Sequence, residues 1–453
     1  MGHAITIRDP IWNTISIDAT ARTIVDSATF QRLRYIRQLG HAHLVYPGAT
    51  HTRFDHAVGV YHLARRALSL LGERDGLAGI APADCRIIPF AALLHDVGHY
   101  PFSHALEELE SGRIPGHHEA LVGRFLAETG LDAVLSDVGD DAAARIEALI
   151  RGASASPLQG LVSGSLDLDK IEYLRRDAHF CGVPYGFVDV DRLLQSLVVL
   201  RDPDTGHSEL GVQEKGVAAL ESLLFAKYQM FRNVYWHHGV RAATVLYKRV
   251  VSVALGAGLI AADELVGATD EGLMHLLETR SIAGGGRGRE GTAGQQAAGD
   301  ASWVGAGVKA LRERRLPKRA AELAAGELAD DVDRSWLESD SALKRRVEDR
   351  MAEELALPRH AVYLDFPEKG GMFGLDLLLR RRTGGVIRLG PAGRAGLIGL
   401  PRISDELYRS ARMLRLYTFG ERRVVGADAL GALASLPTAE VAAALDSGRP
   451  LLG

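Results

Sequence analysis

Between Phe90 and His104 the chain reads FAALLHDVGHYPFSH, and His95, Asp96, His99 and His104 fall within ten residues of one another. Each of these side chains is costly to bury unless it is paired or coordinated. Phe90, Leu93 and Leu94 give the stretch an apolar helical face. Adjacent side chains leave a helix about 100° apart, so His95 and Asp96 can both reach one cation between them. Imidazole with carboxylate suits a divalent first-row metal, and the mixed N/O set suits hydrolysis better than a closed structural site. Taken alone, the doublet is equally compatible with a His–Asp hydrogen bond at a helix end.

Helical patterns surround this stretch. Residues 24–39 place Phe30, Leu33, Ile36 and Leu39 on one stripe ended by Gly40, and Thr52–His56 leads into a helix over Ala57–Leu71. Residues 118–129, 141–151 and 165–178 have the same spacing, the last with Ser165 as N-cap. Ahead of them, residues 4–18 alternate around Asp9–Pro10 as a short strand or hairpin. Residues 196–213 form a second hairpin signal around Pro203, Asp204, Thr205 and Gly206. One long helix is expected from Val217 to Tyr247. Lys227 sits on its apolar stripe, where a cation needs an anionic partner or an aqueous cavity.

Residues 281–302 are rich in Gly, Ala and polar residues without periodicity, the composition of a flexible loop or linker. Beyond it come helical stretches near 304–314 and 340–355, strand-like runs at 361–366, 374–380 and 385–389, a helix near 403–413 and a strand at 415–419. The fold class is therefore mainly α, an all-helical core with a small β-hairpin and a C-terminal α+β region. The domain division is 1–280, a linker at 281–302, and 303–453 as an oligomerisation or regulatory unit.

The chain has 453 residues, 47% hydrophobic and 24% charged, with net charge −4. Those values are ordinary for a globular protein and carry no global basic field for nucleic acid. Two cysteines, Cys85 and Cys181, are too few for a disulfide framework and too scattered for a zinc site. The N-terminal stretch has no signal-peptide apolar core, and the longest apolar run, Val250–Ala262, is too short to span a bilayer. A soluble cytoplasmic protein without membrane partners is expected.

Read in order, IRDPIWNTI, FQRLRYIRQLG, YPGATHTRFDHAVGVYHLA, LLHDVGHYPFSH and LDLDKIEYLRRDAHFCGV resemble the HD superfamily of metal-dependent phosphohydrolases. Within it, they look like the deoxynucleoside triphosphate triphosphohydrolase branch, which includes bacterial enzymes and the animal SAM-and-HD-domain enzyme. The resemblance covers roughly residues 4–245. It implies that residues 1–280 are an HD-type phosphohydrolase domain. His56, His95, Asp96 and Asp169 would hold one divalent ion (Mn, Mg, Fe, Ni or Zn). Arg53, Lys170, Tyr173, Lys227 and Tyr235 would line the triphosphate pocket, and Gln38 and Asp177 would meet the sugar 3′-hydroxyl. His104 and His118 would transfer protons with Asp167 as the orienting carboxylate, and His99 would lie near the α-phosphate. Asp26, Gln31 and Arg34 match positions of a regulatory nucleotide site, with Arg192 and Lys215 as nearby basic matches.

This chain departs from the branch in five places. Trp12 and Asn13 replace a His-Gly pair, Asp55 replaces a frequent Glu, and Gln213 and Ala219 replace basic-site Arg and Asn. Lys227 stands where the animal enzyme has arginine, so its phosphate contact would be monodentate. The implied activity is metal-dependent cleavage of dNTPs to deoxynucleoside and inorganic triphosphate. The implied partners are an activating nucleotide and further copies of the chain, as dimer or tetramer. The alternatives are an HD phosphodiesterase acting on another nucleotide or single-stranded nucleic acid, and a non-catalytic nucleotide sensor. The cyclic-dinucleotide branch usually has lysine where this chain has His99.

Overall fold

The computed structural model describes residues 5–109, 112–285, 292–368, 372, 374–391, 393–394 and 397–452. Strands β1 (Ile5–Asp9) and β2 (Asn13–Ile17) pair in register from Ile5 with Ile17 to Asp9 with Asn13. The turn is closed by Asp9, whose Oδ1 accepts from the Ile11 and Trp12 amides at 2.8 Å each. This hairpin brings Asp9 and the buried Trp12 beneath the candidate site.

The single helix expected over 24–39 is absent. Helix α1 (Ala19–Val25) stops early, and Ser27 caps a new turn at Ala28–Gln31 by accepting from the Phe30 amide. A 3-10 turn, Arg32–Tyr35, follows. Side-chain capping by Ser27 competes with continuation of the helix, while Phe30, Leu33 and Ile36 still reach the core.

Helix α2 (Arg53–Gly72) starts earlier than its apolar pattern because Thr52 and Asp55 form a capping box. Helix α3 (Pro82–Leu94) begins with proline in its first turn, where an amide hydrogen is not needed, and ends just before His95. Helix α4 (His118–Glu128) follows. Helix α5 (Leu168–Cys181) is capped by Asp167 rather than by Ser165, whose hydroxyl instead accepts from the Asp376 amide.

The long helix expected to Tyr247 is three pieces. Helix α6 (Val217–Met230) passes into a π turn at Phe231–Tyr235, and helix α7 runs over His238–Gly256. A π turn rotates the residues within it relative to the α-helical phase, and here it carries Tyr235. The 281–302 stretch is not a linker without structure. Helix α8 (Asp270–Gly285) and helix α9 (Thr292–Arg312) occupy its two sides, and residues 286–291 lie outside the described residues. Small residues allow the helical backbones to approach closely: a Cβ on Gly307 of α9 would stand 2.5 Å from Val250 Cγ2 of α7.

The 303–453 region is α+β, as its sequence pattern predicts, but it is not built apart from the rest. Strands β3 (Leu197–Arg201) and β4 (Ser208–Gln213) form the expected hairpin. Strand β5 (Lys318–Ala324) is one that the sequence pattern did not reveal. Strand β6 (Val362–Asp365) joins it through a shared neighbour, and β7 (Leu377–Arg380) pairs parallel with β4. With β8 (Val386–Leu389) this completes a sheet in the order β3-β4-β7-β8, and β9 (Met413–Thr418) lies between β5 and β6. Helix α10 (Ser341–Glu354) and later helices at 427–434 and 438–447 enclose a second core around Trp336, Val347, Met351 and Leu416. Among the described residues, no helix is long and apolar enough to cross a membrane.

Candidate active site

Three elements meet at one point. α2 brings His56, the end of α3 brings His95 and Asp96, and the first turn of α5 brings Asp169. His56 Nε2 lies 3.2 Å from His95 Nε2 and 2.9 Å from Asp169 Oδ1, and His95 Nε2 lies 3.7 Å from the same oxygen. These three residues form one group of atoms close enough to hold a metal ion. Asp96 flanks it, with Oδ1 3.4 Å from His95 Nε2 and Oδ2 3.7 Å from His56 Nε2.

The outer nitrogens fix the tautomers. His56 Nδ1 faces Glu172 Oε2 at 2.6 Å, and His95 Nδ1 faces the Ala92 carbonyl at 2.8 Å. A carbonyl and a carboxylate only accept, so both Nδ1 atoms donate, and the neutral rings then turn their Nε2 lone pairs toward each other. Two lone pairs and a carboxylate oxygen at these distances repel unless a cation or a proton lies among them. The donor set therefore fits a divalent ion. Without an ion, protons take that role. Burial opposes charge on His56, but hydrogen bonds to Asp169 and Glu172 push it up to about 10. Burial likewise opposes ionisation of Asp96, yet Arg53, His95 and His99 hold it well below the usual carboxylate range.

A line of buried groups supports His56 from behind. Glu172 accepts from Trp12 Nε1 at 3.0 Å and from Arg176 Nε at 2.8 Å, and Arg176 Nη2 lies 2.9 Å from Asp9 Oδ2. Trp12 thus gives the altered DPIWN motif a structural use. Neither Glu172 nor Arg176 stands out in the sequence beyond ordinary helix charge, although their i, i+4 spacing is a readable pairing signal.

A second cluster adjoins the first through Asp96. His99 Nε2 lies 3.0 Å from Asp96 Oδ1, off the hydrogen-bonding angle, and its ring stacks on His118 with centroids 3.7 Å apart. Burial, Arg53 and His118 keep His99 neutral. His104 and His118 share one carboxylate, that of Glu107, with both Nδ1 contacts at 2.7 Å. Burial would raise the Glu107 carboxyl, but these two hydrogen bonds drive it far below its ordinary value. His104 is exposed and His118 buried.

The carboxylate that contacts His104 and His118 is Glu107, not the expected Asp167. Asp167 caps α5 through the Lys170 amide and ion-pairs with the Lys170 ammonium. Glu107 lies three residues after His104, a spacing that signals the pair only once that loop is known to turn.

The other expected site residues are also accounted for. Arg53 is buried, donating from Nη1 to Asp96 at 2.8 Å and from Nε to the Ser103 hydroxyl at 3.0 Å. Lys227 is buried in α6, and Tyr173 packs edge-on to Tyr235 at 6.4 Å. Asp177 accepts from Tyr235 at 2.7 Å and contacts His51 Nε2 at 2.8 Å. His51 also receives the Gln38 amide on its carbonyl, so Gln38 and Asp177 meet around a histidine that the motif reading passed over. The Gln38 side-chain oxygen is buried and unbonded. Asp26 and Arg34 are exposed and Gln31 is half-buried. Asp26 pairs with Arg22, and Arg34 donates to Gln31 while lying 3.4 Å from the centre of the Phe54 ring. Arg192 donates to the Lys215 carbonyl at 3.2 Å.

The chain is similar to known proteins along much of its length. A family model described as HD domain matches residues 53–155, and one described as HD associated region matches residues 188–290. An uncharacterized protein of Methanocaldococcus jannaschii is 36% identical over 54% of this chain and 49% of its own length. A deoxynucleoside triphosphate triphosphohydrolase of Bos taurus is 30% identical over 51% of this chain and 44% of its own. The chain spans about half the length of the curated relatives it matches. Two solved structures share the fold. A hypothetical protein from Aquifex aeolicus has a TM-score of 0.64 at 25% identity, covering 92% of this chain and 97% of its own. A phosphohydrolase from Bacteroides thetaiotaomicron has a TM-score of 0.68 at 20% identity, covering 92% and 100%.

Proposed function

We propose that this chain, whose residues 53–155 match the HD domain, hydrolyses deoxynucleoside triphosphates to deoxynucleoside and inorganic triphosphate. The observation that carries this reading is the adjacency of two unlike clusters. A group fit for a divalent ion (His56, His95, Asp169, with Asp96) stands beside a second group, His99, His104, Glu107 and His118, whose atoms are also close enough to hold an ion but in which His104 and His118 already share the Glu107 carboxylate. A metal-assisted hydrolysis with a poor alkoxide leaving group needs both.

A bound divalent ion would supply an acidified water and polarise the α-phosphoryl group. His56, His95, Asp96 and Asp169 would hold it, and the identity of the ion is open. Glu107 faces Nδ1 of both His104 and His118, and at His104 its charge opposes the burial that lowers that imidazole. A proton at Nε2 of the exposed His104 can then pass to the departing 5′-oxygen. His99, kept neutral, separates that acid from Asp96. Lys170 and Lys227 would face the β- and γ-phosphates, with Lys170 exchanging Asp167 for phosphate, and Tyr173 would border them. The Asp177–Tyr235–His51 set with Gln38 would receive the 3′-hydroxyl. Arg53 acts in this arrangement mainly by neutralising Asp96. Asp26, Gln31 and Arg34 are proposed as an activator nucleotide contact between copies of the chain.

Incubation of each dNTP with Mn²⁺ or Mg²⁺, followed by separation of the products, tests the reading. Deoxynucleoside and intact triphosphate are expected, with ribonucleotides cut much more slowly. Orthophosphate or pyrophosphate release would place a different phosphorus at the metal. Cleavage of a cyclic dinucleotide or single-stranded DNA without dNTP turnover would replace this reading with a phosphodiesterase.

A further inference from the structure

We propose that the cleft between α7 and α10 binds a phosphoryl oxyanion, at a site separate from the candidate active site. The cleft has a volume of ≈ 90 Å³, and its walls include Lys248 and Arg249 of α7, Ser341, Lys344 and Arg345 of α10, and Tyr363 of β6.

Charge is the first argument. Four cations face two carboxylates, Glu108 and Glu348, so the lining keeps two positive charges in excess. Lys248 Nζ lies 2.7 Å from Glu108 Oε2, Arg249 pairs with Glu348, and Arg345 Nη2 donates to the Ser252 hydroxyl at 2.6 Å. Lys344 has no ion pair among the described residues. Burial works against its charge, and the field of Glu348 supports it only in part against Lys248 and Arg241. A half-buried lysine in that position calls for an anion.

Unused hydrogen-bonding capacity is the second argument. Arg249 Nη1 and the Tyr363 hydroxyl are both buried without a hydrogen-bond partner, although both residues line the cleft. The Arg249 guanidinium stands 5.3 Å from the centre of the Tyr363 ring, so the two side chains are neighbours. Orphaned buried donors are rare in folded proteins because each forfeits its hydration. A tetrahedral dianion with several acceptor oxygens would satisfy the guanidinium, the ammonium and the phenol together, and would match the two excess charges. The ligand is therefore phosphate itself or the phosphoryl end of a nucleotide.

The test is calorimetric titration of the full chain with inorganic phosphate and, separately, with a deoxynucleoside triphosphate in metal-free buffer. Wild type is compared with Lys344→Gln and with the shape-conserving Tyr363→Phe. Lys344→Gln should weaken one binding event at least tenfold and Tyr363→Phe several-fold, with bound-metal content and thermal midpoint unchanged. An effect seen with phosphate identifies free phosphate as sufficient. An effect confined to the triphosphate identifies the nucleotide. Tungstate-soaked crystals should show an anomalous peak between α7 and α10. Isotherms that superimpose for all three proteins with both ligands, or a tungstate peak at the His56–His95 cluster alone, would overturn the proposal.

Discussion

Glu172 Oε2 stands 2.6 Å from His56 Nδ1, and neither atom is accessible to solvent. This contact decides which His56 nitrogen faces Asp169, and hence whether the cluster presents a lone pair or a proton to a cation. Carboxylates in this position orient a ligating ring and raise its basicity. Glu172→Gln keeps the shape but lets the amide present its NH₂ to the ring. Its divalent-ion affinity should fall roughly 10- to 100-fold with helical content preserved. Equal affinity in wild type and variant, by calorimetry with Mn²⁺, would show that the contact does not govern the tautomer.

Glu107 should matter to turnover without holding the metal. Glu107→Gln removes the carboxylate whose charge opposes the lowering of His104 by burial, while metal content stays at the wild-type level. The rate constant kcat should drop by roughly 10²- to 10⁴-fold. The alkaline limb of its pH profile should move to lower pH, because the acid form is lost earlier. An alkaline limb left in place would remove these histidines from proton transfer.

His41 should set an acid limit on stability. It is buried, stacked on Phe102 at 4.1 Å, and its Nδ1 has no hydrogen-bond partner. Burial, with His43 and Arg37 nearby, pushes it down from 6.5 to about 3. Its folded form therefore stays neutral while the unfolded chain binds a proton below pH 6.5. Stability is unaffected above that value and falls as pH drops from 6.5 toward 3, by roughly 2 kcal/mol at pH 5. In His41→Phe, denaturant midpoints at pH 7.5 and pH 5 should lie closer together than in wild type. An identical pH response in both proteins would assign the acid sensitivity elsewhere.

Gly59 allows α2 and α5 to approach. A Cβ there would stand 2.1 Å from Glu172 Oε1 and 2.9 Å from Arg176 Nη2. Those atoms are held by His56, Trp12 and Asp9 and have little room to yield. Gly59→Ala gains a little helix propensity, but overpacking should dominate, with a net cost of roughly 1–3 kcal/mol and weakened metal binding. A thermal midpoint at or above that of wild type would mean that Glu172 can shift without loss.

The chain by itself determined the mainly α class, the hairpins at 4–18 and 196–213, and the histidines and carboxylates to bring together. Those features are local. Apolar spacing, turn residues and the His95–Asp96 doublet are read within a few residues, and the motif order connects the distant ones. Where a local device competed with periodicity, the periodic reading failed. Ser27 ended a helix, the π turn divided 217–247, and Gly- and Ala-rich 292–302 became helical against the apolar face of α7. What only the tertiary structure decided is which carboxylate contacts which histidine. The family resemblance points to Asp167 as the partner of His104 and His118. Capping α5 and pairing with Lys170 occupy Asp167, while the turn after Pro101 brings Glu107 to both rings. Glu172, Arg176, Trp12 and Asp9 became one support for His56 in the same way. Their contacts cross as many as 167 residues of chain, and close packing of the β1–β2 hairpin on α5 alone brings them within hydrogen-bonding reach.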